Sequence, residues 1–142
     1  MSVTGACLCG AVRYTLKDKP KETGACHCDM CRRWSGGVFM SVKCKAEEVT
    51  LDGQKHIGRF KSSDWAERCF CNRCGSVLFY RVTASGPYHD DHHFGFGTLD
   101  NPNGIPMTSE IYIDKKPDGF AFKGDHHTMT EAEVIAMFAP KD

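Results

Sequence analysis

Short apolar stretches, several of them alternating with polar positions, dominate this chain, and turn-forming residues separate them. Residues 11–16, 38–42, 49–51, 57–61, 66–70, 77–82, 94–99 and 110–113 each predict a short strand. Between them lie Pro20, Asp52-Gly53, Ser62-Ser63-Asp64, Asp100-Asn101-Pro102 and Lys115-Lys116-Pro117, all turn or loop chemistry. Residues 29–34 fit one short helical turn, stopped by Ser35-Gly36-Gly37. Thr130, followed three positions later by Glu133, forms a capping box for a helix over 131–138. Its expected apolar face carries Val134, Ile135 and Phe138. The pattern predicts a mainly β fold, one domain over residues 1–142, with a short C-terminal helix.

Composition narrows the function. Hydrophobic residues at 41% and charged residues at 25% give a globular balance, which excludes a disordered chain. Lys plus Arg equals Asp plus Glu at 18 each, and no basic stripe stands out, so nucleic acid is not an expected partner. No apolar run reaches membrane-span length, and a membrane is not expected either. The first ten residues lack a charged and then apolar leader, so the expected compartment is the reducing cytoplasm. Nine cysteines in such a compartment point away from disulfides and towards metal, because they cluster as C-x-C and C-x-x-C.

Three stretches carry the chemistry. Cys7-Leu8-Cys9-Gly10 and Cys71-Asn72-Arg73-Cys74-Gly75 are knuckles that leave into strands, and Gly10 suits a tight turn with backbone amides facing sulfur. Paired, they make a Cys₄ set that closes a structural tetrahedral site. The spacing alone does not separate zinc from iron. Cys26-His27-Cys28-Asp29-Met30-Cys31-Arg32-Arg33 supplies only three thiols. Structural zinc sites are closed by four protein ligands, and catalytic ones keep a position open. Cys69, Cys44 or a histidine could close the second site, with Cys69 the best placed because it alternates with Cys71 on one strand face. If the site is open, three thiolates and Zn²⁺ sum to minus one, a weak Lewis acid poorly suited to making hydroxide. It suits a fourth thiolate, which remains electron-rich and can attack a small aldehyde. Arg32 and Arg33 could hold that thiol's carboxylates, although surface charge is the plainer account of at least one. A deaminase signature is absent, since His27 is followed by Cys28 and Asp29 and no proline precedes Cys71. The tracts His89-Asp90-Asp91-His92-His93 and His126-His127 are expected to be solvated loops, and Trp34 and Trp65 core residues.

At these residues the chain resembles the glutathione-dependent formaldehyde-activating enzyme family, which also includes centromere protein V. The carrying motifs are Cys7-x-Cys9-Gly10-x-Val12-x-Tyr14, Cys26-His27-Cys28-x-x-Cys31-Arg32 and Phe70-Cys71-x-x-Cys74-Gly75-Ser76. Gly97-Thr98-Leu99-Asp100 and Asp114-Lys115-Lys116-Pro117 are similar to later family blocks. The resemblance implies an Mss4-like β-tent of antiparallel sheets pinned by two zinc ions. It implies structural ligands Cys7, Cys9, Cys71 and Cys74, and catalytic-type ligands Cys26, Cys28 and Cys31. The implied activity is that of a carbon–sulfur lyase joining glutathione to formaldehyde, with Arg32, Arg33, Ser35 and Gly36 as candidate glutathione contacts. The alternative is a non-catalytic module of the same fold that binds proteins, with both zinc ions structural.

Seven thiolates against two divalent ions leave three negative charges on a chain of formal net charge zero. The metal-loaded protein is therefore expected to run towards the anode relative to the metal-stripped protein in native electrophoresis at pH 7. Equal mobility would rule out this ligand count.

Overall fold

The structure, a computed structural model, describes residues 1–138. In chain order the strands are β1 (Val3–Ala6), β2 (Arg13–Leu16), β3 (Thr23–Cys26), β4 (Phe39–Cys44), β5 (Val49–Asp52) and β6 (Ile57–Lys61). They continue with β7 (Ala66–Cys71), β8 (Val77–Val82), β9 (His92–Gly95), β10 (Met107–Ile111) and β11 (His127–Met129). The α-helices are α1 (Asp29–Ser35) and α2 (Glu131–Phe138).

Two sheets result. A three-stranded sheet in the order β1-β2-β5 faces an eight-stranded sheet in the order β11-β10-β3-β4-β9-β8-β7-β6. Pairing is antiparallel except at one end, where β10 runs parallel to both β3 and β11. The large sheet is therefore mixed rather than purely antiparallel. The core between the sheets holds Val12, Tyr14 and Leu16 against Val42, Leu78, Phe79 and Phe94, and includes Cys69 and Cys71. Tyr14 packs on Phe94 at 4.2 Å between centroids, and its hydroxyl meets the Thr98 hydroxyl at 2.6 Å. Both ends of a buried tyrosine are thus satisfied, the apolar ring and the polar tip. Among the described residues no helix is long and apolar enough to cross a membrane.

Most predicted strands form, and the differences have local causes. β1 (Val-Thr-Gly-Ala) and β3 (Thr-Gly-Ala-Cys) contain small residues of poor strand propensity, so no run marks them. Their partners β2, β4 and β10 make them strands. The expected strand over 94–99 begins earlier, at His92, and gives way to a 3₁₀ turn at Phe96–Thr98. The Thr98 hydroxyl donates to the Gly95 carbonyl at 2.7 Å and holds that turn. The strand expected to be last, over 110–113, is Met107–Ile111, and β11 follows it.

Three expectations about burial are corrected. The tract 89–93 is not wholly a solvated loop: Asp91 and His92 are buried, and His92 and His93 lie in β9. Lys45 satisfies the Asp91 carboxylate, and burial holds the His92 imidazole below its ordinary value. Likewise His127 opens β11. Trp65 is 53% exposed rather than core. On α2 the capping box forms as expected, with Thr130 N to Glu133 Oε1 at 3.0 Å and Glu133 N to Thr130 Oγ1 at 3.2 Å. Of its apolar face only Val134 is buried; Ile135 is exposed, and Phe138 is half exposed with its ring edge-on to Tyr88 at 4.8 Å between centroids.

Gly53 closes the turn after β5 at φ +79°, and a Cβ there would lie 1.9 Å from the Ala11 carbonyl oxygen. The left-handed backbone and the backbone clash act together, so Gly53→Ala is expected to destabilise the fold by about 2 kcal/mol or more. Urea unfolding of the two proteins measures this, and equal midpoints would refute it.

Candidate metal centre

The two outer knuckles have the same construction. In the first, the Gly10 amide donates to the Cys7 carbonyl at 3.2 Å, with Gly10 at φ +81°. In the second, between β7 and β8, the Gly75 amide donates to the Cys71 carbonyl at 2.8 Å, with Gly75 at φ +80°. These left-handed turns aim amides at sulfur: Val12 N reaches Cys7 Sγ at 3.3 Å and Arg73 N reaches Cys71 Sγ at 3.4 Å. Such donors favour the thiolate, as does the Ser76 hydroxyl, which holds the Cys74 thiol down to about 5. Ser76 also ties the knuckles together by accepting from Leu8 N at 2.9 Å.

The four sulfurs of Cys7, Cys9, Cys71 and Cys74 lie within 4.8 Å of one another. Cys7 to Cys9 measures 3.7 Å, and Cys9 to Cys71 measures 3.8 Å. A tetrahedral zinc with bonds of about 2.3 Å requires sulfur separations of about 3.8 Å. The donor set therefore fits such an ion by both chemistry and spacing.

The second set is built where β3 runs into α1. Cys26 is the last residue of β3, Cys28 is the N-cap of α1, and Cys31 lies in its first turn. Cys31 N donates to Cys28 Sγ at 3.3 Å, so the helix start itself orients one sulfur. The three sulfurs are within 4.8 Å of one another, and no fourth histidine, cysteine or carboxylate among the described residues joins them. Hydrogen bonding from Cys26 holds the Cys28 thiol well below its ordinary value, and the same contact pushes Cys26 up. A thiophilic cation would replace the protons of the cluster.

Cys69 does not close this set. It is fully buried in the core on the same side as Cys71, where burial pushes its thiol up to about 12. Cys44, at the end of β4, is pushed to about 12 for the same reason. Both are neutral, unreactive thiols at pH 7.

Two buried groups next to the three thiols carry no mark in the sequence. His27 is 2% exposed and Glu110, on β10, is 6% exposed; Nε2 and Oε1 are 2.8 Å apart. Arg68, on β7, is 3% exposed and places Nη1 3.5 Å from Cys31 Sγ. The only available signals were an acid at the start of a strand and an arginine within an otherwise largely apolar run. The four residues expected to contact substrate all lie on α1 or at its C-terminal end. Arg33 is exposed, and Arg32 makes only a long pair with Asp29 at 3.7 Å. The Ser35 hydroxyl donates to the Cys31 and Gly37 carbonyls at 2.8 and 2.9 Å, and Gly36 is the left-handed C-cap of α1.

A β scaffold presenting one four-thiol set and one three-thiol set defines a class of cysteine-rich, metal-competent proteins. Comparison with known proteins gives the family: the glutathione-dependent formaldehyde-activating enzyme model matches residues 2–115, and this chain belongs to that family. An uncharacterized lyase of Schizosaccharomyces pombe is 30% identical over 132 residues, covering 92% of this chain and 93% of the relative. A Halomonas elongata protein, whose name places it provisionally in the same family, is 31% identical over 87 residues, covering 56% and 55% of the two chains. The crystal structure of a Rhodobacter sphaeroides protein superposes with a TM-score of 0.57 at 20% identity, over 74% of this chain and 99% of that one, and shows a shared fold.

The buried His27–Glu110 pair fixes the peptide between two of the three thiols. Glu110→Leu leaves the imidazole without its partner in a dry site and is expected to destabilise the fold by about 3 kcal/mol. Glu110→Gln keeps an acceptor and should lose far less. Thermal melts of both variants measure the difference, and equal losses would show that the pair is not the cause.

Proposed function

We propose that the protein is a metal-dependent carbon–sulfur lyase that joins a small thiol to a small aldehyde at Cys26, Cys28 and Cys31. Glutathione and formaldehyde are the substrates suggested by the family. In the addition, the thiol sulfur forms a bond to the aldehyde carbon, the carbonyl π bond breaks, and the thiol proton ends on the new hydroxyl. The reverse reaction is the lyase direction. The observation that carries the reading is the three-sulfur set, with no fourth protein donor among the described residues, beside a complete four-sulfur set.

In this reading Cys7, Cys9, Cys71 and Cys74 hold a structural zinc, and Cys26, Cys28 and Cys31 hold a second. A zinc ion there supplies a position that stabilises a substrate thiol as its thiolate. The protein's own contribution is placement. β3 and the start of α1 fix the three sulfurs on rigid elements, and the His27–Glu110 contact braces the loop that joins them. Arg32 and Arg33, one turn along α1, remain accessible for the thiol's carboxylates. Ser35 and Gly36 cap that helix, and in this reading they present the Ser35 hydroxyl's free lone pairs and the following loop to the thiol.

Elemental analysis of the native protein, repeated after excess glutathione, tests the reading together with NMR detection of the hydroxymethyl thioether. Two zinc ions per chain are expected, one of them perturbed by glutathione. Cys28→Ser should stay folded, retain one zinc and lose product formation. Two zinc ions indifferent to glutathione, with no product, would instead favour a protein-binding module.

A further inference from the structure

Among the described residues, Arg68 is a buried cation that no carboxylate pairs. Its neighbour Glu67 is engaged by Arg59 at 2.6 Å and Arg81 at 3.0 Å, both on the same oxygen. The Arg68 guanidinium lies 5.0 Å from the centroid of Trp34 and 5.0 Å from that of Tyr80. Its Nε has no hydrogen-bond partner, and its Nη1 faces Cys31 Sγ at 3.5 Å. Its guanidinium places a positive charge in a largely dry site. Two aromatic faces offset part of its desolvation. Among the described residues, the group that can carry negative charge in contact with it is the sulfur cluster.

The placement follows from strand geometry. On β7, Arg68 stands opposite Tyr80 of β8, and Cys69 stands opposite Phe79. Successive side chains point to opposite faces. Arg68 therefore points towards Cys31, and Cys69 points into the core. Trp34 arrives from α1, three residues after Cys31, so the helix that carries one sulfur also carries one face of the clamp.

We propose that Arg68 is the counter-cation of the Cys26/Cys28/Cys31 site: clamped between Trp34 and Tyr80 with Nη1 on the Cys31 sulfur, it offsets the cluster's negative charge and favours capture of a substrate thiolate. The proposal rests on the open-site reading above. Three thiolates with a divalent ion sum to minus one, and a fourth thiolate takes the site to minus two; Arg68 brings these to zero and minus one. The second state gains more from the cation than the first, so Arg68 acts on thiol affinity. It is a positioning residue that works through Cys31. Lysine keeps the charge but neither stacks between two rings nor presents a planar fork, so it should substitute only in part.

The test uses the full chain loaded with cobalt(II), whose sulfur-to-cobalt charge-transfer bands report on the thiolates, titrated with 2-mercaptoethanol as an uncharged thiol probe. Arg68→Met is expected to shift the charge-transfer band to lower energy before any thiol is added, because the sulfur loses its donor. It should also weaken thiol binding about tenfold or more, the scale of one charge-assisted contact in a partly dry site. Arg68→Lys should fall between it and the wild type. If Arg68→Met does not fold, Arg68→Lys and Trp34→Leu decide, each expected to weaken thiol binding with cobalt still bound. Variants that fold, hold cobalt and match the wild type in band position and thiol affinity would overturn the role of Arg68 alone. A wild-type spectrum that the thiol leaves unchanged would overturn the open-site reading, and the thiol-capture role with it.

Discussion

Two knuckles separated by most of the first half of the chain bring four sulfurs to separations near 3.8 Å: Cys7 and Cys9 after β1, and Cys71 at the end of β7 with Cys74 beyond it. Sulfurs that close repel as thiolates and gain little as thiols, so a thiophilic cation is the interaction that makes the arrangement favourable. The rest of the fold follows from this junction. It fixes β1 and β2 over the end of the β7–β8 hairpin, and the small sheet then covers the core face of the large one. Tyr14, Val12 and Leu16 are buried because β2 starts at the first knuckle. A core of this size, made of short strands, gains much from having its two sheets tied at one point.

The large sheet separates two kinds of sulfur chemistry. On one face Cys69 and Cys71 point into the core, and one of them belongs to the four-thiol set. On the other, Arg68 points at the three-thiol set. A strand has only two faces, so β7 serves both centres with adjacent residues. The strand's alternation keeps Cys69 away from Cys31, and among the described residues the second set holds three thiols.

Electrostatics distinguishes the two centres. The four-thiol knuckles direct backbone amides and the Ser76 hydroxyl at their sulfurs. The three-thiol set has one amide on Cys28 and a guanidinium on Cys31. On the reading proposed above, amide dipoles would suffice for a structural site of constant charge, and a full cation would be better matched to a site whose charge grows with an anionic ligand. The neighbouring His27–Glu110 pair adds rigidity between the ligands.

The sequence alone determined the two cysteine groups, the capping box, most strands and the family, because these are local patterns: knuckle spacing, alternation and a Thr-x-x-Glu signature. It left open whether Cys69 closes the second site, since alternation says which residues share a face but not what each face meets. It missed β1, β3 and β11, whose residues become strands only through the partners they meet: β2 for β1, β4 and β10 for β3, and β10 for β11. It also placed Trp65 and the 89–93 tract wrongly, because burial depends on which element covers a side chain. Arg68 and Glu110 could be assigned only in three dimensions. A charge becomes informative when it is seen to be buried, and burial is a property of the packed sheets.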